Sequence, residues 1–277
     1  MATSQYSVWM TKHTFRGNDK ITSLNINNTC QLDSDMEEAF ANCTNLKIVQ
    51  GGLVGYKIDR IFLNCKSLTT LESTFVFNGF QTSMIGSFQG CESFNMDMYV
   101  GNHVTTIDDC FNGCTSLTKF PQLHPLSSIL RSAKRAFKGI SVVNLTMMPD
   151  SLEDLEECFA DCKSLVKILN IPTNAINLKR CFYGCEALTV FNNYDPIHIY
   201  SNVTNMDETF YNCKNFNGQF IIESENITSA MNCFGSDDGN CPNRDVHIPF
   251  NTTTHQAFLN AGYSETERVH GVILLPL

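Results

Sequence analysis

The sequence predicts an α/β solenoid of about ten stacked units, each a short strand plus a short helix of roughly 24 residues in all, closed by a C-terminal capping segment. Three observations predict it: a Phe-x-x-Cys motif recurs along the chain, apolar columns recur beside it, and turn residues gather between the copies. The motif places Phe40 with Cys43, Phe62 with Cys65, Phe88 with Cys91, Phe111 with Cys114, Phe159 with Cys162, Phe182 with Cys185 and Phe210 with Cys213. Phe137 keeps the frame with Ile140 in the cysteine slot, and Phe15 and Phe234 are degenerate end copies. Successive Phe spacings are 25, 22, 26, 23, 26, 22, 23, 28 and 24 residues.

Four residues before the Phe stand Met36, Ile58, Met84, Ile107, Leu155, Leu178 and Met206. Three after the Cys stand Leu46, Leu68, Phe94, Leu117, Leu165, Leu188 and Phe216, and three further on Val49, Leu71, Phe120, Ile168 and Phe191. The first three apolar positions, four and three apart, read as one face of a short helix. The later Leu-x-x-Leu segment, rich in Thr, Val, Ile and Phe, reads as a strand. Segments such as NNYDP at 192–196 mark turns. One such unit cannot bury its apolar stripe alone, whereas stacked copies bury it jointly. Ten strands at ~4.8 Å give a sheet on the order of 48 Å long. The repeat therefore overrides the two domains that the length of 277 residues suggests. Residues 1–244 read as the solenoid, with 1–30 as a divergent N-terminal unit, and 245–277 as the cap: a strand at VHIPF, a helix at THQAFLNAGY and a strand at GVILL.

Composition sets the outer bounds. Charged residues are 17% and hydrophobic residues 43%, which argues against disorder. The net charge of −9 argues against a nucleic-acid partner, whose phosphates need basic surface. There is no basic n-region with an apolar run behind it, and no stretch of ~18–20 apolar residues, so neither a secretory signal nor membrane insertion is expected. The 13 cysteines are odd in number and contain no Cys-x-x-Cys pair, which points to reduced thiols.

Chemistry-bearing residues each have a structural reading. Cys110/Cys114, Cys158/Cys162 and Cys181/Cys185 have i,i+4 spacing, but zinc needs four N/S ligands and no histidine lies in these units. The expectation is small apolar residues in a recurring buried slot. Cys158 and Cys181, in equivalent slots of adjacent units, are the pair best placed to oxidise. The phenylalanines read as core. The seven histidines are scattered, apart from His247, His255 and His270 near the C-terminus. Glu37-Glu38, Asp108-Asp109, Glu156-Glu157 and Asp207-Glu208 recur just before the Phe, where acids in a first helical turn complement the dipole. The acidic stretch SDDGN at 236–240 reads as a loop ahead of a calcium site, and the sequons at Asn144, Asn202 and Asn226 as chance matches in a chain with 28 Asn. No catalytic, cofactor or metal residues are expected, and the chain reads as no enzyme.

The segments NVTNMDETFYNCKNF (202–216), IDDCFNGCTSLTKFP (107–121) and LEECFADCKSLVKIL (155–169) resemble the repeat of BspA-like, Treponema-type leucine-rich proteins, over roughly residues 10–240. The resemblance implies a curved leucine-rich-repeat solenoid used for adhesion and protein binding. Tails similar to this one close BspA-like proteins of gut bacteriophages and bacteria, and an Asn-rich chain without a signal suits a phage-encoded virion component: a tail, fibre or capsid-associated protein. Alternatives are a secreted or surface adhesin of a bacterium or protist, and an intracellular inhibitor or effector that captures a host protein. The expected partner is a protein, a virion protein or host receptor, and the chain also suits a homo-oligomer or larger assembly. Gln50, Glu72, Lys119, Lys167 and Asn192, beside the inward apolar column, are the candidate binding residues, although the same residues could merely solvate the sheet.

Overall fold

Repetition in the sequence becomes repetition in space. A computed structural model of the chain describes residues 9–26, 31–32, 35–51, 57–71, 81–123, 129–145, 147–191 and 196–277. Its strands are short: β1 (Trp9–Met10), β2 (Ser23–Ile26), β3 (Gln31–Leu32), β4 (Ile48–Gly51), β5 (Thr70–Leu71), β6 (Tyr99–Val100), β7 (Gln122–Leu123), β8 (Lys167–Ile168), β9 (Val190–Phe191), β10 (Ile197–Ile199), β11 (Phe220–Ile222), β12 (Arg244–Ile248) and β13 (Val272–Pro276). They pair in parallel as β1-β3, β2-β4-β5, β6-β7, β8-β9 and β10-β11-β12-β13. A second column of parallel bridges holds one residue per coil: Asp35, Lys57, Ser83, Thr106, Ser132, Asp154, Asn177, Asn205 and Ser229. Among the described residues it joins nine coils into one solenoid.

The short helix expected in each unit is not there. Among the described residues, α1 (Thr253–Asn260) in the C-terminal segment is the one α-helix. The Met/Ile/Leu-x-x-x-Phe-x-x-Cys segment is instead a run of turns, and its backbone N–H groups bond to the next coil. Met36, Glu38, Phe40 and Asn42 donate to the carbonyls of Lys57, Asp59, Ile61 and Leu63 at 2.6–3.1 Å. The cause lies in two left-handed residues per coil. One stands two before the Phe (Glu38, Arg60, Asp109, Arg135, Glu157, Arg180 and Glu208, φ 51–56°). The other stands just before the cysteine slot (Asn42, Asn64, Gly90, Gly113, Gly139, Asp161, Gly184 and Asn212, φ 56–77°). Alternating hands cannot propagate a right-handed helix. They turn alternate peptide planes along the stack instead.

The core is built of columns. Ten phenylalanines, from Phe15 to Phe234, form one ladder with neighbouring ring centroids 5.4–5.9 Å apart. The rings from Phe40 to Phe234 are buried, whereas Phe15 at the N-terminal end is half-buried. The cysteine column beside it is buried as well, and each thiol donates to the carbonyl of a Phe in the preceding coil. Cys43, Cys65, Cys91, Cys114, Cys162, Cys185 and Cys213 reach Phe15, Phe40, Phe62, Phe88, Phe137, Phe159 and Phe182 at 3.0–3.1 Å. The slot thus asks for a small apolar residue with one weak donor, which is what cysteine is.

The C-terminal segment finishes the stack. Tyr263 accepts the Phe234 N–H at 2.9 Å, and Thr254 accepts the Ile227 N–H and donates to the Ser224 carbonyl. Arg244, 2% exposed, donates to the carbonyls of Phe216, Phe234 and Cys213 at 2.8–3.1 Å. The outer edge of β13 is closed too. Val272 exchanges both backbone bonds with Val269, the Leu274 N–H goes to the Ser264 carbonyl, and Pro276 has no N–H. Gly271 makes that return possible: its φ is +76°, and a Cβ there would lie 2.3 Å from the Pro242 carbonyl oxygen. Gly271→Ala is expected to cost ~2 kcal/mol or more, read as a lowered urea midpoint, since both the backbone hand and the space forbid a side chain.

Candidate functional site

Two sides of each coil offer surface, and they are used differently. On the strand side, β-pairing alternates side chains in and out of the core. Val49, Leu71, Val100, Leu123 and Ile168 point in. Their neighbours point outward in short separate ladders, with Ile48 in register with Thr70, Tyr99 with Gln122, and Lys167 with Asn144. A separate ladder on β10 to β13 carries His198, Ile221, His247 and Leu275, and His198 there pairs with Glu223 at 2.9 Å. Ile48 and Tyr99 are 38% and 48% exposed, a large apolar presence for a solvent face.

The five candidate binding residues do not form one row. Gln50 lies on β4, on the far side of Val49 from Ile48, and accepts from the Asn25 amide at 3.5 Å. Lys167 lies on β8, turned outward. Lys119 lies three residues before the start of β7 and ion-pairs with Asp97 of the neighbouring coil at 2.8 Å. Glu72 and Asn192 lie outside the described residues. Ile48 and Tyr99, exposed on this side, are not among the residues that the sequence singled out. Their signal was available: each stands immediately before a buried valine of the inward column.

On the turn side the charges bind coil to coil. The acid pairs were expected to cap helices; with no helix there, the acids staple neighbouring coils, as does Asp59 ahead of Arg60, while Glu37 and Glu156 pair with Lys12 and Lys134. Asp59, Asp108 and Asp207 accept from the hydroxyls of Ser83, Ser132 and Ser229 at 2.5–2.6 Å, and from the N–H groups of Ile85, Lys134 and Met231 at 2.9 Å. The second acid, on left-handed backbone, meets an arginine of an adjacent coil. Arg60 pairs with Glu38 at 2.8 Å, Arg135 with Asp109 at 2.7 Å, and Arg180 with Glu208 at 3.0 Å. Such half-exposed pairs contribute ~0–1 kcal/mol each. The Lys12 ammonium holds the Glu37 carboxyl below the usual glutamate range, and the Arg60 guanidinium does the same to Glu38. A carboxylate whose folded pKa is depressed stabilises the fold above its unfolded pKa and loses that contribution as pH falls through the folded value. Stability of the N-terminal coils is therefore expected to decline below about pH 4, and Glu38→Gln to flatten that decline in an acid titration followed by circular dichroism.

Other candidate chemistry resolves into structure. In the acidic loop, Asp237 accepts from the Tyr211 hydroxyl at 2.9 Å and the Asn212 amide at 2.8 Å, and Asp238 pairs with Lys214 at 2.8 Å. The three C-terminal histidines do not converge: His247 Nδ1 meets the Pro276 carbonyl, His255 meets Glu265 at 2.6 Å, and His270 sits edge-on to Tyr263. Among the described residues no cluster of three His, Cys, Asp or Glu is placed to hold a metal ion.

Cys158 and Cys181 are free thiols and fully buried. Burial pushes the thiols up throughout the column, to about 12 at Cys114 and Cys162. A thiolate nucleophile is thereby suppressed. Of the described cysteines, Cys241 alone is partly exposed. A thiol-reactive dye is expected to label Cys241 in the native protein and the buried cysteines about a hundredfold more slowly, at the rate of local opening. Counting labelled peptides by mass spectrometry checks this.

A family model described as "BspA type Leucine rich repeat region" matches the chain over residues 7–95, 58–157, 84–217 and 133–262. Two solved structures are similar at low identity. A leucine-rich cell surface protein from Faecalibacterium prausnitzii is 16% identical with a TM-score of 0.46, covering 100% of this chain and 85% of that one. A leucine-rich repeat protein from Bacteroides ovatus is 15% identical with a TM-score of 0.45, covering 97% and 87%. No curated protein matches the chain.

Proposed function

Because the chain belongs to the BspA-type leucine-rich-repeat family, we propose that it is a non-enzymatic module that binds protein along the strand side. One observation carries this reading. The strand side projects the large apolar side chains of Ile48 and Tyr99 out of the core, with Lys167 turned outward on β8 as well. A rigid stack presents such side chains at fixed spacing, so little ordering entropy is lost on docking. Aromatic and apolar anchors rimmed by polar groups are the residues that dominate protein interfaces.

The setting adopted is a surface or secreted adhesin, the use that the BspA-like resemblance implies. The expected virion setting draws no support from the family match. No helix among the described residues is long and apolar enough to cross a membrane.

The test compares binding of wild type, Ile48→Glu/Tyr99→Glu and Lys66→Glu to immobilised host-cell surface proteins and to intact phage particles. Lys66 lies on the turn side, paired with Glu92. The reading expects binding to the cell-surface fraction, lost in the strand-side variant and kept in Lys66→Glu. Equal loss in both variants overturns the strand side, and binding to particles alone overturns the setting.

A further inference from the structure

Three Asn-Gly pairs stand in the chain: Asn78-Gly79, which lies outside the described residues, Asn112-Gly113 and Asn217-Gly218. An asparagine side chain ahead of a glycine is open to attack by the glycine's backbone nitrogen, because no Cβ stands in the way. Whether the attack occurs depends on how firmly the two groups are held.

At Asn112-Gly113 they are held. The Asn112 Nδ2 donates to Asp109 Oδ1 at 2.9 Å, and the Gly113 N–H donates to the Lys138 carbonyl of the next coil at 2.9 Å. The Asn112 carbonyl between them accepts the Gly90 N–H of the preceding coil at 2.8 Å. Asn217-Gly218 lies in the irregular segment ahead of β11, where the coil-to-coil bonds of the turn run have ended. Asn217 is exposed, and among the described residues nothing holds its side-chain amide or the Gly218 N–H. Packing nevertheless keeps the glycine in place. A Cβ on Gly218 would lie 2.7 Å from Cζ of Phe216, a buried ring set edge-on to Phe220.

We propose that Asn217 is a self-modification site, converted by Gly218 and water to aspartate and isoaspartate in the folded protein. The Gly218 nitrogen attacks Asn217 Cγ, a C–N bond forms, and the Cγ–Nδ2 bond breaks. Ammonia leaves with the proton that Gly218 gives up. Water then opens the cyclic imide: at Cγ it yields aspartate, and at the main-chain carbonyl it yields isoaspartate, with no change of oxidation state. The second product has a structural cost. Gln219 accepts the Ile197 N–H at 2.8 Å, the bond that opens the β10–β11 ladder. Isoaspartate adds a carbon to the main chain just ahead of that bond and loosens the ladder at its first rung.

The test ages the native full chain in mildly alkaline buffer. Peptide mass spectrometry follows the change of amide to acid, and an isoaspartyl methyltransferase marks the isoaspartate. Asn217 is expected to convert at least roughly tenfold faster than Asn112, whose reaction waits on local opening. In urea, where neither pair is held, the two rates should converge. Amide exchange at Ile197 should rise in the isoaspartyl fraction, and stay unchanged in Asn217→Asp, which carries the charge without the added carbon. Asn217→Gln should remove the conversion at that site and keep the native circular dichroism. An Asn217 as durable as Asn112 in the native protein, or a rate difference that persists in urea, overturns the site. Unchanged exchange at Ile197 in the isoaspartyl fraction overturns its effect on the ladder.

Discussion

Arg244→Ala will detach the C-terminal end of the stack. The guanidinium is buried and donates to three carbonyls, those of Cys213, Phe216 and Phe234. Removing the donor takes a partner from each of these oxygens, of which that of Cys213 keeps the Phe216 N–H, and an unsatisfied buried acceptor costs ~1–3 kcal/mol. The expected loss is about 3–5 kcal/mol, a large part of the ~5–15 kcal/mol that holds a typical domain. Arg244→Lys should recover only part of it, because one ammonium cannot span three carbonyls that a planar fork meets. Urea unfolding gives the size of the effect. Amide exchange gives its place: protection should vanish first at Phe234, whose N–H rests on Tyr263, and last around Phe88. A uniform loss of protection along the chain would contradict a local cap.

Phe137→Ala will cut the solenoid in two. Phe137 stacks on Phe111 at 5.7 Å and on Phe159 at 5.4 Å, and its coil also lacks the thiol bond, since Ile140 fills the cysteine slot. Truncating a buried phenylalanine costs ~3–5 kcal/mol. In a stack whose coils touch only their neighbours, that loss falls on a single interface and uncouples the halves. The sole tryptophan, Trp9, reports on the N-terminal coils and far-ultraviolet dichroism on the whole chain. The two urea transitions should coincide in wild type and separate in Phe137→Ala. Phe15→Ala, at the half-buried end, should lower the midpoint by less and leave the transitions together.

The solenoid was legible because its columns are long. A residue type repeated at one slot can only mean a stacked position, and Phe62, Cys65 and Leu68 are buried where that logic puts them. The turn runs were legible in principle, but their signal lies one column away from the apolar one. Asn42, Asn64, Gly90, Gly113, Asp161 and Asn212 are the residue types that accept left-handed backbone, and they recur just before the cysteine slot. Four-and-three apolar spacing alone suits a helix equally well. The acid pairs followed the same error, since their worth depends on serines and arginines about 22–26 residues distant, as Asp108 on Ser132 and Glu38 on Arg60 show. The outward residues of the strand side were only half legible. Whether the residue before or after the inward one faces solvent on the strand depends on where each two-residue strand begins, and Lys119 falls before its strand altogether.

The turn runs also give the stack an electrical polarity. Alternate peptide planes in each coil point their carbonyls at the preceding coil and their N–H groups at the next, as Phe15 to Ala39 and Phe40 to Ile61 do. Aligned peptide dipoles add, as along an α-helix, but here they add across coils instead of along a single spiral. The turn runs therefore contribute a dipole with its negative end at the first coil and its positive end at the last, opposed in part by bonds of the other sense such as Lys47 to Thr22 and Thr69 to Lys47, and ionisable side chains are placed to match it. Lys12, His13 and Arg16 stand at the negative pole, and Asp237, Asp238 and Glu265 at the positive one. Its total charge of −9 conceals this arrangement. Electric birefringence should find a permanent moment that survives when neutralisation at low pH takes most of the net charge away.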